Sequence, residues 1–263
     1  MKISSWMRGL FGLILLSSLQ ARADEAPQFT TTASGLKYIV TNHGEGMTPQ
    51  SGQVVVAHYT GKLADGTVFD RSVERGEPFA FTLGQGQVIK GWDEGFALLR
   101  VGDHATFIIP AVLAYGEKGA GGVIPPGATL RFEVEFIDLK QHALADHLGE
   151  IIDRDGVDAA LARFVLLKAE KFGDYYVSEG QLNGLGYRYL GKGQLPAAIA
   201  VFKLNVELFP LSGNTHDSLG EALLKNGQTT AAIAAYEQSV ALDSKNKNAR
   251  RILAELKSAD GVR

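Results

Sequence analysis

The sequence predicts an α+β protein: a curved antiparallel sheet packed on one short helix, followed by an all-helical segment built from a repeat. Three observations predict it. Between residues 35 and 140, short β-branched and aromatic runs alternate apolar with polar and are separated by Gly, Pro and Asp. Within that stretch, Ile89, Trp92, Phe96 and Leu99 recur at steps of three and four, which marks a single helix with one apolar stripe. After about residue 143 prolines thin out, alanines rise and the period becomes helical, with self-similarity at a spacing of 34 residues.

The N-terminus has its own pattern. Lys2 and Arg8 supply positive charge, GLFGLILLSSL (9–19) is an apolar run, and Ala21-Arg22-Ala23 precedes Asp24-Glu25. This is the order of a cleaved secretory signal, with cleavage expected after Ala23. The run is short for a span of ~30 Å of hydrocarbon, so a retained anchor is the weaker reading. A signal peptide at 1–23 implies a periplasmic or secreted protein with no membrane span after cleavage. Residues 24–34, polar and rich in Thr and Ala, are expected to form a flexible lead-in. The 263 residues carry a net charge of −3, which argues against nucleic acid as the main partner. The absence of cysteine excludes disulfides and thiol chemistry.

The strands follow in order. Leu36 to Val40 alternates, and Val54-Val55-Val56-Ala57-His58-Tyr59 is β-branched and aromatic. Asp65-Gly66 between Leu63 and Val68-Phe69 marks a hairpin. Phe79, Phe81 and Leu83 alternate with Ala80 and Thr82, and Thr106 to Ile109 is a further strand. Phe132, Val134 and Phe136 alternate with Arg131, Glu133 and Glu135, as in a strand buried on one face. These elements define a domain over 35–142.

In the helical segment, KGQLPAAIAVFKLNVELFP (192–210) aligns with NGQTTAAIAAYEQSVALDS (226–244). Gly193 and Gly227, Ala198 and Ala232, Phe202 and Tyr236, and Leu185-Gly186 and Leu219-Gly220 are each 34 apart. This pattern resembles the tetratricopeptide repeat, a solenoid in which at least ~3 repeats are normally needed for stability. Leu253-Ala254 lies a further 34 on, so 247–257 reads as a capping first helix. AALARF (159–164) is similar to AAIAAY (231–236), so 157–169 reads as a lone second helix, with about four extra residues near 172–180. The expectation is a connector with a half repeat over 143–178 and repeats with a cap over 179–258. Such a module implies a groove for a protein or peptide whose identity the sequence does not reveal. Tyr187 and Ser218 stand where the carboxylate-clamp members of this repeat family carry Lys or Asn, which disfavours capture of a chaperone C-terminus.

Three motifs carry a second resemblance. VVAHYTGKLADGTVFDRS (55–72), GQVIKGWDEGFALLRVGD (86–103) and YGEKGAGGVIPPGATLRFEVEF (115–136) resemble the FKBP-type peptidyl-prolyl cis-trans isomerases, in order and with family-like spacing over roughly 36–140. The resemblance implies an FKBP-like fold and an isomerase (rotamase) that assists protein folding by accelerating rotation of Xaa-Pro bonds in proline-containing, unfolded or partly folded exported proteins. That rotation faces a barrier of ~18–20 kcal/mol because amide resonance favours planarity. Water stabilises the charge-separated planar form, so an apolar pocket that strips water lowers the barrier without nucleophile, metal or cofactor. The resemblance places Tyr59, Phe69, Phe79, Val88, Trp92, Val123, Ile124 and Phe132 around that pocket, with Trp92 as floor. It implies that the Ile89 backbone N–H and the Tyr115 hydroxyl hold substrate carbonyls. Asp70, tied to Tyr59 and Arg75, would present its carboxylate at the rim. A macrolide inhibitor is an implied ligand. Ala120 and Gln87 stand where some members carry histidine and glutamate, which bears on substrate preference and macrolide affinity.

Other readings are weaker. The glycines at 116–122 lack the order of a phosphate loop and do not run into a helix. His142 and His147, with Asp146 beside them, are not spaced to place both histidines on one helical face, and Asp153, Asp155 and Asp158 lack the later Glu of a calcium loop in register. The alternative from another functional class is a non-catalytic chaperone, or binding protein, that holds Xaa-Pro segments in an isomerase fold.

Overall fold

The computed structural model describes residues 28–260; the expected signal peptide at 1–23 and the start of the lead-in lie outside them. Seven strands form one antiparallel sheet: β1 (Thr30–Thr31), β2 (Lys37–Asn42), β3 (Val54–Lys62), β4 (Val68–Arg71), β5 (Phe79–Thr82), β6 (His104–Ile109) and β7 (Leu130–Lys140). Their order is β1-β2-β6-β7-β3-β4, with β5 also paired to β3. The lead-in is therefore not wholly free. Thr30 and Thr31 pair with Tyr38 and Lys37 across a turn at Gly35. β-branched residues on either side of a Ser-Gly turn favour that hairpin.

β7 buries Leu130, Phe132, Val134 and Phe136 and turns Arg131, Glu133 and Glu135 outward or to the rim, the alternation its sequence requires. The buried face packs on α1 (Lys90–Ala97). The helix sits unusually close to β6. A Cβ at Gly91 would overlap the Ile109 side chain, and one at Gly95 would lie 2.9 Å from the Phe107 ring. Two glycines four apart thus face two residues two apart on the strand, and the helical and strand periods mesh.

Only Gln141 separates β7 from β8 (His142–Ala143), which leads directly into the helices: α2 (Leu144–Asp155), α3 (Val157–Ala169), α4 (Glu179–Gly191), α5 (Leu195–Leu208), α6 (Gly213–Lys225), α7 (Thr229–Leu242) and α8 (Lys247–Asp260). Each of the pairs α2/α3, α4/α5 and α6/α7 packs together, and α8 packs on α7. The expectation of a lone helix at 157–169 changes here, because α2 precedes it and completes a pair. α2 carries an apolar stripe of Leu144, Leu148 and Ile151, but its Leu148-Gly149 lies 37 residues before Leu185-Gly186, outside the 34-residue period that made the other helices visible as repeats. The extra residues between α3 and α4 form a turn at Lys171 and Phe172, both with positive φ, and the short β9 (Tyr175–Tyr176). β9 pairs in parallel with β8.

Candidate active site

α1, β3, β4, β5, β7 and the loops after β5 and β6 converge on a cleft of about 250 Å³. Trp92 is almost fully buried beneath it, held by its place on α1. Tyr59 meets the Trp92 ring edge-on at 5.0 Å between centroids, Phe132 at 5.2 Å and Phe79 at 5.7 Å. Phe69 packs edge-on against Phe132 at 5.6 Å. Edge-to-face contacts of this kind fix ring orientation as well as burying area. Gly61 makes the Phe69–Phe132 contact possible: a Cβ there would stand 2.6 Å from Phe69 and 2.9 Å from Phe132.

A polar cluster closes one side. The Tyr59 hydroxyl donates to Asp70, and Arg75 donates from Nη2 to the Tyr59 oxygen (2.8 Å) and from Nη1 to Asp70 Oδ1. The Arg75 guanidinium also lies over the Tyr59 ring at 5.5 Å. Burial, aided by the hydrogen bond to Asp70, pushes the Tyr59 hydroxyl up to about 12. Burial alone would raise the Asp70 pKa as well, but the Tyr59 and Arg75 hydrogen bonds outweigh it and hold the carboxyl below its ordinary value. The cluster therefore presents a fixed carboxylate and a phenol that stays protonated.

Two supports were not legible in the sequence. Ser72 is fully buried. Its Oγ accepts from the Tyr59 N–H (2.9 Å) and lies 2.9 Å from His58 Nδ1, so it fixes the strand position of Tyr59. On α1, Asp93 accepts from the N–H groups of Gly84 (2.8 Å) and Gly86 (3.3 Å), which ties the loop carrying Val88 and Ile89 to the same helix as Trp92. Ile89 is the N-terminal flanking residue of α1, and its own N–H has no acceptor among the described residues.

Residues 45–137 match the family described as FKBP-type peptidyl-prolyl cis-trans isomerase. FK506-binding protein 1 of Dictyostelium discoideum is 52% identical over 106 residues, which are 40% of this chain and 99% of that protein. The chain belongs to the FKBP-type isomerases. FK506-binding protein 1 of Candida glabrata is 49% identical over 41% of this chain and 95% of its own length. The FKBP-type 22 kDa peptidyl-prolyl cis-trans isomerase of Escherichia coli is 52% identical over 41% of this chain, but only 52% of that protein is covered. The helices from α2 onward lie outside the family match.

The structure brings most of the expected site residues of this FKBP-type domain together. Tyr59, Phe69, Asp70, Phe79, Val88, Ile89, Trp92, Tyr115 and Phe132 all border the cleft, joined by Gln87. Arg75 reaches it through Asp70 and Tyr59. Tyr115 is 41% exposed, and its hydroxyl has no partner among the described residues. Ile124 is buried against the same core. Val123 does not line the cleft and is 54% exposed at the tip of the glycine-rich flap. There Ala120 and Ile124 exchange backbone hydrogen bonds of 3.0 and 2.9 Å around Gly121 and Gly122, both with positive φ. Such a tip points a side chain outward, which linear pattern does not reveal. Gly119 is required at the base: its φ is +63°, and a Cβ would overlap the Ile124 carbonyl.

Proposed function

We propose that this protein catalyses cis/trans rotation of Xaa-Pro bonds in exported proteins, with proline seated on Trp92. The observation that carries the proposal is the aromatic cleft: the rings of Tyr59, Phe79 and Phe132 meet over Trp92, and few polar groups, among them Asp70, Gln87 and Tyr115, border it. The planar imide is charge-separated and favoured by water, whereas the twisted imide has lost that resonance. A proline drawn into this cleft leaves water behind, which disfavours the planar form relative to the twisted one.

Tyr59, Phe79, Val88, Trp92 and Phe132 form the walls in this reading, with Phe69 behind Phe132 and the flap residues Val123 and Ile124 beside the entrance. The free Ile89 N–H and the Tyr115 hydroxyl hold the carbonyls that flank the rotating bond. Asp70, oriented by Tyr59 and Arg75, sets the field at the imide. No step needs a metal or cofactor. The cleft also suits an FK506-type macrolide, the ligand after which two of the relatives are named. The pattern at 1–23 supports export, and the 34-residue repeat supports a tetratricopeptide-like module that binds a protein or peptide.

The test is magnetisation-exchange NMR on Xaa-Pro peptides with the full chain and with Asp70→Ala. Acceleration that falls partially in Asp70→Ala and stops on addition of a macrolide supports the assignment. No acceleration, with peptide still bound, would turn the reading to a chaperone that holds Xaa-Pro segments.

A further inference from the structure

The cleft does not end at its own walls. Phe79 and Gln87 border it on one side and, on the other, a groove of about 320 Å³ between β5 and the helices α2 and α4. That groove adjoins a larger hollow of about 530 Å³, and Gln87, Asp146 and Arg188 are common to both. Gln87 bridges all three spaces. Its Oε1 accepts from the Thr82 N–H at 2.9 Å, so it is fixed to the strand beneath rather than free to swing.

The groove is lined for a polypeptide. Phe81, Ala145 and Leu185 give it an apolar floor. Gln181 borders it, and its Oε1 is a buried acceptor with no partner among the described residues. His147 borders the adjoining hollow, and its Nε2 is likewise buried and unpartnered. Neither atom is open to solvent, so each meets a peptide only by a rotation of its side chain, which would relieve the cost of leaving it unpartnered; an extended peptide supplies an N–H and a C=O at every residue.

We propose that the chain flanking the substrate proline continues from the cleft past Gln87 into this groove, so that α2 and α4 form part of the substrate site. The occupant is the same polypeptide whose proline is turned over, because the groove is continuous with the cleft through Phe79 and Gln87. The proposal rests on the isomerase reading. It makes the helical module a determinant of substrate length, not a separate receptor.

Gly184 provides the test. It lies on α4, borders the groove, and a Cβ there would meet nothing within 4 Å. Gly184→Leu therefore fills the groove without intruding on the core, and removing a mid-helix glycine favours the helix. Gly191→Leu, at the C-terminal end of α4 with open space around its Cβ and not among the residues that line the groove, controls for adding an apolar side chain to this helix. Peptides of about four and about twelve residues, sharing one Xaa-Pro unit, reach at most ~14 and ~43 Å. We expect wild type and Gly191→Leu to favour the longer peptide in kcat/KM by about tenfold, the scale of one or two net hydrogen bonds. Gly184→Leu should lose that preference and keep its activity on the short peptide. Equal kcat/KM for both peptides in wild type, or an unchanged preference in Gly184→Leu, overturns the proposal. If neither peptide is accelerated, the isomerase reading fails instead. The groove is then judged by fluorescence anisotropy of the longer peptide, and binding unaffected by Gly184→Leu rejects it.

Discussion

The sheet domain and the helical segment use the same contact, a glycine against an aromatic ring, for opposite ends. In the sheet, Gly61 lets Phe69 and Phe132 meet, and the far faces of those rings border an open cleft. In the helices, Gly186 receives the ring of Phe202 and Gly220 that of Tyr236, and both rings are wholly buried. The contact is the same, but its surroundings differ. In the helical segment the next helix covers the ring and the result is core. In the sheet, the single helix α1 leaves part of the aromatic cluster uncovered and the result is a site. A ring becomes available for binding because the elements run out around it.

The sharpest way to break this comparison is to remove one ring from each region. Phe132→Ala should cost about 3–5 kcal/mol in urea unfolding and lower peptide exchange more than Asp70→Ala does. Phe202→Ala should cost a similar amount while exchange on a short peptide persists; loss of exchange there would mean that the two regions are not separable. Next in size, Gly91→Ala should cost about 1–3 kcal/mol by overpacking against Ile109, and should also slow exchange because Trp92 sits on the displaced helix.

A smaller effect concerns pH. Asp70 has a lowered pKa, so its contribution to stability is present above about pH 4 and fades as pH falls through the lowered value. Tyr59 behaves oppositely: its contribution is present below about pH 10 and fades as pH rises toward about 12. Asp70→Asn should flatten the acid limb of the urea-midpoint profile, and Tyr59→Phe the alkaline limb. Unchanged limbs would mean that the cluster is not formed in solution. The smallest effect is expected of Gly220→Ala. Its Cβ would lie 3.1 Å from Tyr236, a tight but adjustable contact, and the gain in helix propensity of about 1 kcal/mol should nearly cancel it. A loss as large as that of Gly91→Ala would show that both regions are equally close-packed.

Much of the cleft was readable because its chemistry is carried by large side chains in ordered motifs. Tyr59, Trp92 and Phe132 stand out by type and spacing, and the period of β7 already assigned the buried face to Phe132. Ser72 was not readable. Nothing in a strand-end serine tells that it is buried and holds the Tyr59 backbone. Gly61, Gly91 and Gly95 were equally silent, since a glycine's partner lies across the fold and leaves no periodic trace. α2 escaped for a related reason: its stripe is ordinary, and its Leu148-Gly149 falls 37 residues before Leu185-Gly186, off the 34-residue period that revealed its neighbours. The direction of Val123 depends on two positive-φ glycines before it, which sequence supplies but does not orient.

The link between the two regions has a mechanical consequence. β7 runs from the cleft wall at Phe132 to Lys140, about 26 Å at ~3.3 Å per residue, paired with β3 along this length except at a bulge at Ile137, and a single residue later the chain is clasped by β9. A tether meant to let its cargo wander would be rich in glycine and serine. Here the strand acts as a rigid spoke, so a load applied to the first helical pair is transmitted to the same strand that holds Phe132 in place.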